Sequence, residues 1–419
     1  MSIASLLKDI PIPELTRVKY DFHGQPACDY KKILNEQIDE KKLLHGIRAG
    51  ASIGITAGSR GVANLPTIIK EIADRIKQAG GVPFVFPAMG SHGGATAEGQ
   101  ALVLKKLGIT EESIGCEIRS GMETVEVGIS STVLPVYMDR FAWESDGIIA
   151  VNRVKPHTTF RGGHESGIVK MLVIGMGKQK GAEICHQLGF KNMAKNIEDL
   201  AKVVLATKKV IFGVGVVENA NHQICGLDTA LPEEFFEKDA KLLKCAWDNL
   251  PRLPFNKVDV LVIDEIGKEI SGTGFDTNAV GRANADRPEV TRIAVLNLSE
   301  KTAGNANGIG RADTATKKVF ERFNFEETYP NAITSTAVES VKIPMILEND
   351  ELAIKAAIKM SLVLDYSKVR LVRIKNTSSL GEMYVSGALL EEVKKHPDTD
   401  VFDKNFVTMV FDDNGNVVS

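Results

Sequence analysis

The 419-residue sequence predicts an α/β fold of two domains, each a mostly parallel sheet flanked by helices. Three observations carry this expectation. Apolar runs of strand length alternate with segments of helical period. Glycine-rich polar turns follow several of the strand-like runs, the place where open parallel sheets bind ligands. The chain is also too long for one compact core, and two prolines break the rhythm at 247–257, WDNLPRLPFNK.

Each element has its own justification. ASIGITAGS (51–59) is an apolar run ending in a Gly/Ser turn. LPTIIKEIADRIKQAGG (65–81) spaces its apolar residues as a helix does and stops on glycine. VPFVFPAMG (82–90) is the next strand, and TAEGQALVLKKLG (96–108) a helix with Thr96 as N-cap and Gly108 at its end. DGIIAVNRV (146–154) is a buried strand, KNIEDLAKVVLATKK (195–209) a helix, and VIFGVGVVEN (210–219) a strand. Beyond the prolines the rhythm restarts. Strands are expected at 258–267, 291–299 and 368–377, and helices at 314–325 and 351–365. These readings place an N-terminal domain at 1–255 and a C-terminal domain at 256–400 that closes the cleft. The tail 401–419 pairs through a DDNG turn and is assigned to neither domain.

Composition narrows the function classes. Lys+Arg 51 against Asp+Glu 54 leaves a net charge of −3, which argues against a nucleic-acid partner. Five widely spaced cysteines with no CxxC disfavour a disulfide framework or structural zinc and suit a reducing, cytoplasmic setting. The N-terminus, MSIASLLKDIPIPEL, is too interrupted for a signal peptide, and no run of eighteen apolar residues points to a membrane span.

The chemistry concentrates on turns after strands. Strand 51–57 runs into Gly58-Ser59-Arg60-Gly61, strand 82–88 into Gly90-Ser91-His92-Gly93-Gly94, and strand 146–152 into Lys155-Pro156-His157. Strand 258–264 runs into Gly267-Lys268 and Ser271-Gly272-Thr273-Gly274. Two histidines and an arginine at strand ends make an acid/base pair with an anion clamp. The richest stretch is 155–188, KPHTTFRGGHESGIVKMLVIGMGKQKGAEICHQL, with Lys170 in an apolar setting and His186 sixteen positions on. Each residue alone has an ordinary alternative: His92 as a solvated loop histidine, His186 as a satisfied helix residue, Arg60 as half of a surface pair, Lys170 as a snorkelling strand-end lysine. His23, His45, His222 and His396 carry no motif.

Taken in order, Arg60, His92 in GSHGG, His157 in PH, Lys170 and His186 resemble the lactate racemase family, whose members use a nickel-pincer nucleotide. The resemblance spans most of 50–190 and, in its domain plan, nearly the whole chain. It implies a racemase or epimerase of 2-hydroxy acids working by proton-coupled hydride transfer, with the active site in the interdomain cleft. It implies Arg60 and Lys268 on the substrate, His92 and His157 as the catalytic pair, Lys170 holding the cofactor, and His186 on nickel. Ser166, Gly167, Gly272 and Thr273, with the Lys178/Lys180 pair, are the candidate contacts to cofactor and phosphate. Enzymes that build the cofactor are the implied partners. There are departures. An aspartate commonly precedes the family's arginine, and the stretch here is Ala57-Gly58-Ser59-Arg60. The segment from His157 to Lys170 is longer and brings in His164 and Glu165. These features point to a relative with another substrate and leave covalent attachment at Lys170 open. Two other readings remain. A nicotinamide-dependent oxidoreductase is disfavoured by the missing GxGxxG. A non-catalytic nucleotide or cofactor carrier would use the same glycine loops.

Overall fold

The computed structural model describes residues 2–59, 61–187, 189–282, 287–402 and 405–418. The chain forms two compact units, Gly24–Leu250 and a second made of Met1–His23 with Pro251–Ser419. In chain order the strands are β1 (Leu15–Tyr20), β2 (Ser52–Ala57), β3 (Val82–Pro87), β4 (Glu117–Ile118), β5 (Thr124–Ile129), β6 (Pro135–Asp139), β7 (Gly147–Arg153) and β8 (Val210–Glu218). They continue with β9 (Ile224–Ala230), β10 (Lys257–Ile263), β11 (Glu289–Val295), β12 (Thr314–Thr316), β13 (Met345–Leu347), β14 (Leu371–Ile374), β15 (Glu382–Ser386) and β16 (Thr399–Val401).

In the unit Gly24–Leu250 six strands lie in the order β4-β3-β2-β7-β8-β9. All neighbours pair in parallel except β8 with β9. The central strands are mostly apolar because both faces are covered. On one face Ile55, Ile149 and Val151 pack against Ile68, Ile69 and Ile72 of the helix Leu65–Gln78. On the other, Phe84, Phe86, Ile148 and Ala150 pack against Ile168, Leu172 and the helix Met193–Ala206. The winding reverses between β2 and β7: the chain runs from β2 to β3 and β4 on one side, then returns to β7 and β8 on the other. Such a reversal opens a crevice at the carboxyl ends of the two strands. Those ends lead into the Gly58 turn and the Lys155-Pro156-His157 turn.

The second unit holds an eight-stranded sheet in the order β13-β12-β11-β10-β14-β15-β1-β16. The strands from β13 to β14 pair in parallel, and β14, β15, β1 and β16 pair antiparallel. Residues 1–23 therefore belong here, which corrects the expected boundary of 1–255. The reason is edge completion: β1 buries Leu15 on one face of the sheet and Val18 and Tyr20 on the other, and fills the place between β15 and β16. The tail joins the same unit. Leu15 bridges Val407, and the DDNG turn closes with the Gly415 N–H on the Asp412 carbonyl at 2.9 Å. The expected helix at 314–325 is corrected as well. Thr314–Thr316 extends the sheet as β12, as suits β-branched residues, and the helix is confined to Lys317–Glu321. No helix among the described residues is long and apolar enough to cross a membrane.

Candidate active site

The stretch after β7 folds into a closed loop. Lys155 and Ser166 exchange backbone hydrogen bonds of 2.7 and 3.2 Å, which pin its two ends together. Inside lies Glu165, almost fully buried, whose carboxylate accepts the His157 N–H at 2.6 Å. Burial pushes the Glu165 pKa up, while the His157 N–H and Arg161 hold it down. Arg161 donates to the His157 carbonyl at 2.5 Å and lays its guanidinium over Trp247 at 4.8 Å. The His157 imidazole is thus mounted on a rigid frame. Its ring packs on Phe160 with centroids 4.3 Å apart and faces Phe190 at 6.3 Å.

Lys170 ends the short helix Ile168–Lys170, which passes into a π-helical turn, Met171–Gly175. Such turns recur at functional sites. The start of this helix is capped from another element. Asp239, on the helix Phe235–Asp248, accepts the Ile168 N–H at 2.6 Å and the Val169 N–H at 3.4 Å, and its second oxygen lies 3.1 Å from His164 Nδ1. A Cβ on Gly167 would sit 2.0 Å from that carboxylate, so glycine is required by packing. A carboxylate thus already caps the helix start that follows Ser166 and Gly167.

His186 closes the helix Lys178–His186. Its Nδ1 lies 2.6 Å from the Ala182 carbonyl. A carbonyl only accepts, so Nδ1 carries the proton and Nε2 keeps the lone pair. Burial, aided by Lys170 and opposed by that hydrogen bond, brings the His186 pKa down to about 4. The ring meets the edge of Phe190 at 5.6 Å, so Phe190 stands between His157 and His186. Burial first, then the charges of Lys170, Lys155, His186 and Arg161, hold the His157 pKa well below its usual value. His157, Lys170 and His186 therefore share one electrostatic neighbourhood.

His92 lies in the turn after β3. Its Nδ1 donates to the Met89 carbonyl at 2.6 Å, again leaving Nε2 as the acceptor nitrogen of the neutral ring. His157 is the opposite case: its Nδ1 accepts the Thr159 N–H at 3.1 Å, so the neutral ring carries its proton on Nε2. The β3 end and the His186 helix are in contact. Gly90 has a φ of +60°, and a Cβ there would meet the Ile174 carbonyl at 3.5 Å and Ala182 Cβ at 3.6 Å.

Arg60 lies outside the described residues. Lys268, Gly272 and Thr273 belong to the second unit, in the loops after β10. There the Lys268 N–H donates to Thr302 Oγ1 at 3.0 Å, Asn307 Nδ2 to the Gly272 carbonyl at 2.8 Å, and Thr273 Oγ1 to the Phe275 carbonyl at 2.8 Å. Lys178 is fully buried and bonded within the protein, and thus removed from the proposed phosphate pair. Lys180 is exposed and rests over Tyr137 at 4.1 Å. The apolar setting of Lys170 predicts a buried lysine, yet Lys170 is only partly buried. Asp239 escapes the sequence reading, although a signal exists: it sits on the buried stripe of its helix with Phe235, Leu242, Leu243 and Ala246.

Among the described residues no group of three or more His, Cys, Asp or Glu side chains is placed to hold a metal. A single neutral imidazole such as His186 fits a metal whose other donors come with a cofactor.

His157, Lys170 and His186 gather after the strand at the switch point of a parallel α/β sheet, and His92 lies in the turn after the next strand but one. Residues 14–198 match the lactate racemase N-terminal domain, so this part of the chain is a homologue of that domain. The matched segment contains His92, His157, Lys170 and His186. A search of curated proteins returns no match. Among solved structures, the lactate racemase apoprotein from Thermoanaerobacterium thermosaccharolyticum is similar at 13% identity and a TM-score of 0.47, covering 92% of this chain and 96% of that one. A structural-genomics protein from Thermotoga maritima is similar at 13% identity and a TM-score of 0.49, covering 85% of this chain and 99% of that one.

Proposed function

We propose that the protein is an isomerase, a racemase or epimerase of 2-hydroxy acids that depends on a nickel-pincer nucleotide supplied by cofactor-building enzymes. The supporting observation is the tautomer pair: His92 presents an acceptor nitrogen and His157 a donor N–H. The C2–H of a 2-hydroxy acid is a poor proton donor, because the adjacent carboxylate resists further negative charge. Loss of hydride from C2 is easier when a base takes the hydroxyl proton at the same time. When bound, the cofactor supplies the hydride-accepting centre that no side chain provides. His186 would hold its metal through Nε2, and Lys170 would anchor its organic part.

The chain's own residues do the rest. Arg60 grips the carboxylate with paired hydrogen bonds. His92 Nε2 takes the hydroxyl proton as C2 is oxidised to the 2-keto acid, and becomes an imidazolium. Once the keto acid has presented its other face, His92 returns that proton to the oxygen as C2 is reduced again, and the His157 Nε2–H donates a hydrogen bond to the same oxygen. Burial, with the cations around His157, opposes a further positive charge there, which keeps this imidazole neutral and its Nε2–H a hydrogen-bond donor.

The test is reconstitution with the cofactor and a screen of 2-hydroxy acids: lactate, malate, aryl-lactates and sugar acids. Inversion of at least one is expected, with loss of about 100-fold or more in His92→Ala and His157→Ala. If no acid is inverted, or if both variants match the parent, the assignment fails.

A further inference from the structure

Lys178 is a fully buried lysine at the head of the His186 helix, with a φ of +56°. A non-glycine residue in the left-handed region, with a buried ammonium, costs free energy twice over and needs a compensating role. Its Nζ makes two hydrogen bonds and one ion-pair contact. It donates to the Pro87 carbonyl at the end of β3. It donates to Gln100 Oε1 at 3.1 Å. It lies 3.0 Å from Asp139 Oδ2, an oxygen with no hydrogen-bond partner among the described residues.

Gln100 carries the connection onward. Also buried, its Nε2 donates to the Gly90 carbonyl at 2.9 Å and to the His92 carbonyl at 3.3 Å. Asp139 is tied to the same region, since its N–H donates to the Met176 carbonyl at 2.7 Å. A continuous polar chain therefore runs from the His92 turn through Gln100 and Lys178 into the helix that ends at His186.

We propose that Lys178 is a positioning residue that fixes the His92 turn against the His186 helix through Gln100, with Asp139 as its counter-charge. This rests on the roles proposed above for His92 and His186. Burial pushes the Lys178 pKa down and the Asp139 pKa up, each countered by the partner's charge, as a desolvated pair requires.

The test separates positioning from stability and from activity. Lys178→Met with Asp139→Leu replaces the buried pair by apolar groups, a change that commonly leaves stability intact. Gln100→Met cuts the chain on the His92 side and leaves the charge pair alone. The readouts are the imidazole ¹⁵N shifts of the metal-free protein and the rate at which diethyl pyrocarbonate modifies each histidine, read by peptide mass. His92 is expected to react about fivefold faster in both variants, the change one lost hydrogen bond brings, with its Nδ1–H signal shifted and the thermal midpoint held. If His92 reacts at the parent rate in both variants with unchanged shifts, Lys178 is only a buried ion pair and the proposal is overturned. Neither readout depends on whether the parent inverts any hydroxy acid, so failure of the racemase reading is seen separately.

Discussion

The neutrality of His186 has a measurable consequence for the metal-free protein. In the folded chain its pKa is about 4, against about 6.5 for an unfolded histidine. As pH falls from 6.5 to 4 the unfolded state takes up a proton that the folded state refuses, so folding loses stability across that window. A gap of about 2.5 pH units at about 1.4 kcal/mol per unit gives a loss of about 3 kcal/mol. His186→Asn keeps a donor for the Ala182 carbonyl and removes the titration. Both tryptophans, Trp143 and Trp247, lie in the unit Gly24–Leu250, so their fluorescence reports that unit alone. Urea unfolding of parent and variant between pH 7 and pH 4 should show the parent losing about 3 kcal/mol more than the variant over that range. Carboxylates that titrate in the same window are common to both chains and cancel. Parallel pH profiles would refute the reasoning, because they would mean that His186 is not held neutral and that Nε2 is not the ready ligand atom inferred for it.

Further outcomes follow from other contacts. Asp239→Ala strands the Ile168 and Val169 N–H groups and His164, and should cost about 3 kcal/mol in the same unfolding assay; a loss near zero would show that Asp239 does not cap the Lys170 helix. The Cys225 thiol, aided by Asn249, lowers the Cys245 pKa to about 7, while burial raises Cys116 to about 11 and Cys185 to about 12. Iodoacetamide at pH 7 should therefore alkylate Cys245 well before Cys116 or Cys185, as peptide mapping would show; equal rates would contradict the arrangement. Deleting residues 1–23 removes β1 from between β15 and β16 and should expose the second unit to rapid proteolysis, while the tryptophan-reported transition stays. Protection of that unit after the deletion would place β1 wrongly.

Most of the parallel strands are legible in the sequence because a strand buried on both faces is largely apolar, as Ile53–Ala57 and Ile148–Val151 are. The strands that escape such a reading are short or polar on one side. β1 reads LTRVKY and finds its partners more than 360 residues away, a pairing no local pattern encodes. β12, TAT, merges in the sequence with the helix that follows it. At the site, the turns carrying His92 and His157 are visible as glycine and histidine after strands, and Lys170 as a lysine in an apolar run. What stays hidden is support from distant elements. Asp239 reaches Gly167 across about 70 positions and Gln100 reaches Lys178 across 78, and both depend on which helix faces pack together. A lysine flanked by glycines, as in GMGKQKG, looks like an anion ligand until burial shows it already satisfied. Apolar neighbours favour Lys170 over Lys178 as the buried lysine, but side-chain direction, not neighbour hydropathy, sets burial.

The central claim is that these two imidazoles serve a hydride transfer at C2. It is tested most directly by incubating the cofactor-loaded protein in ordinary water with a 2-hydroxy acid bearing deuterium at C2 and analysing the inverted product by mass. Inverted product that keeps its deuterium is the predicted result, since a hydride carried from one face to the other does not exchange with solvent. Inverted product with hydrogen at C2 would mean that a base removes the C2 proton, and would contradict the account.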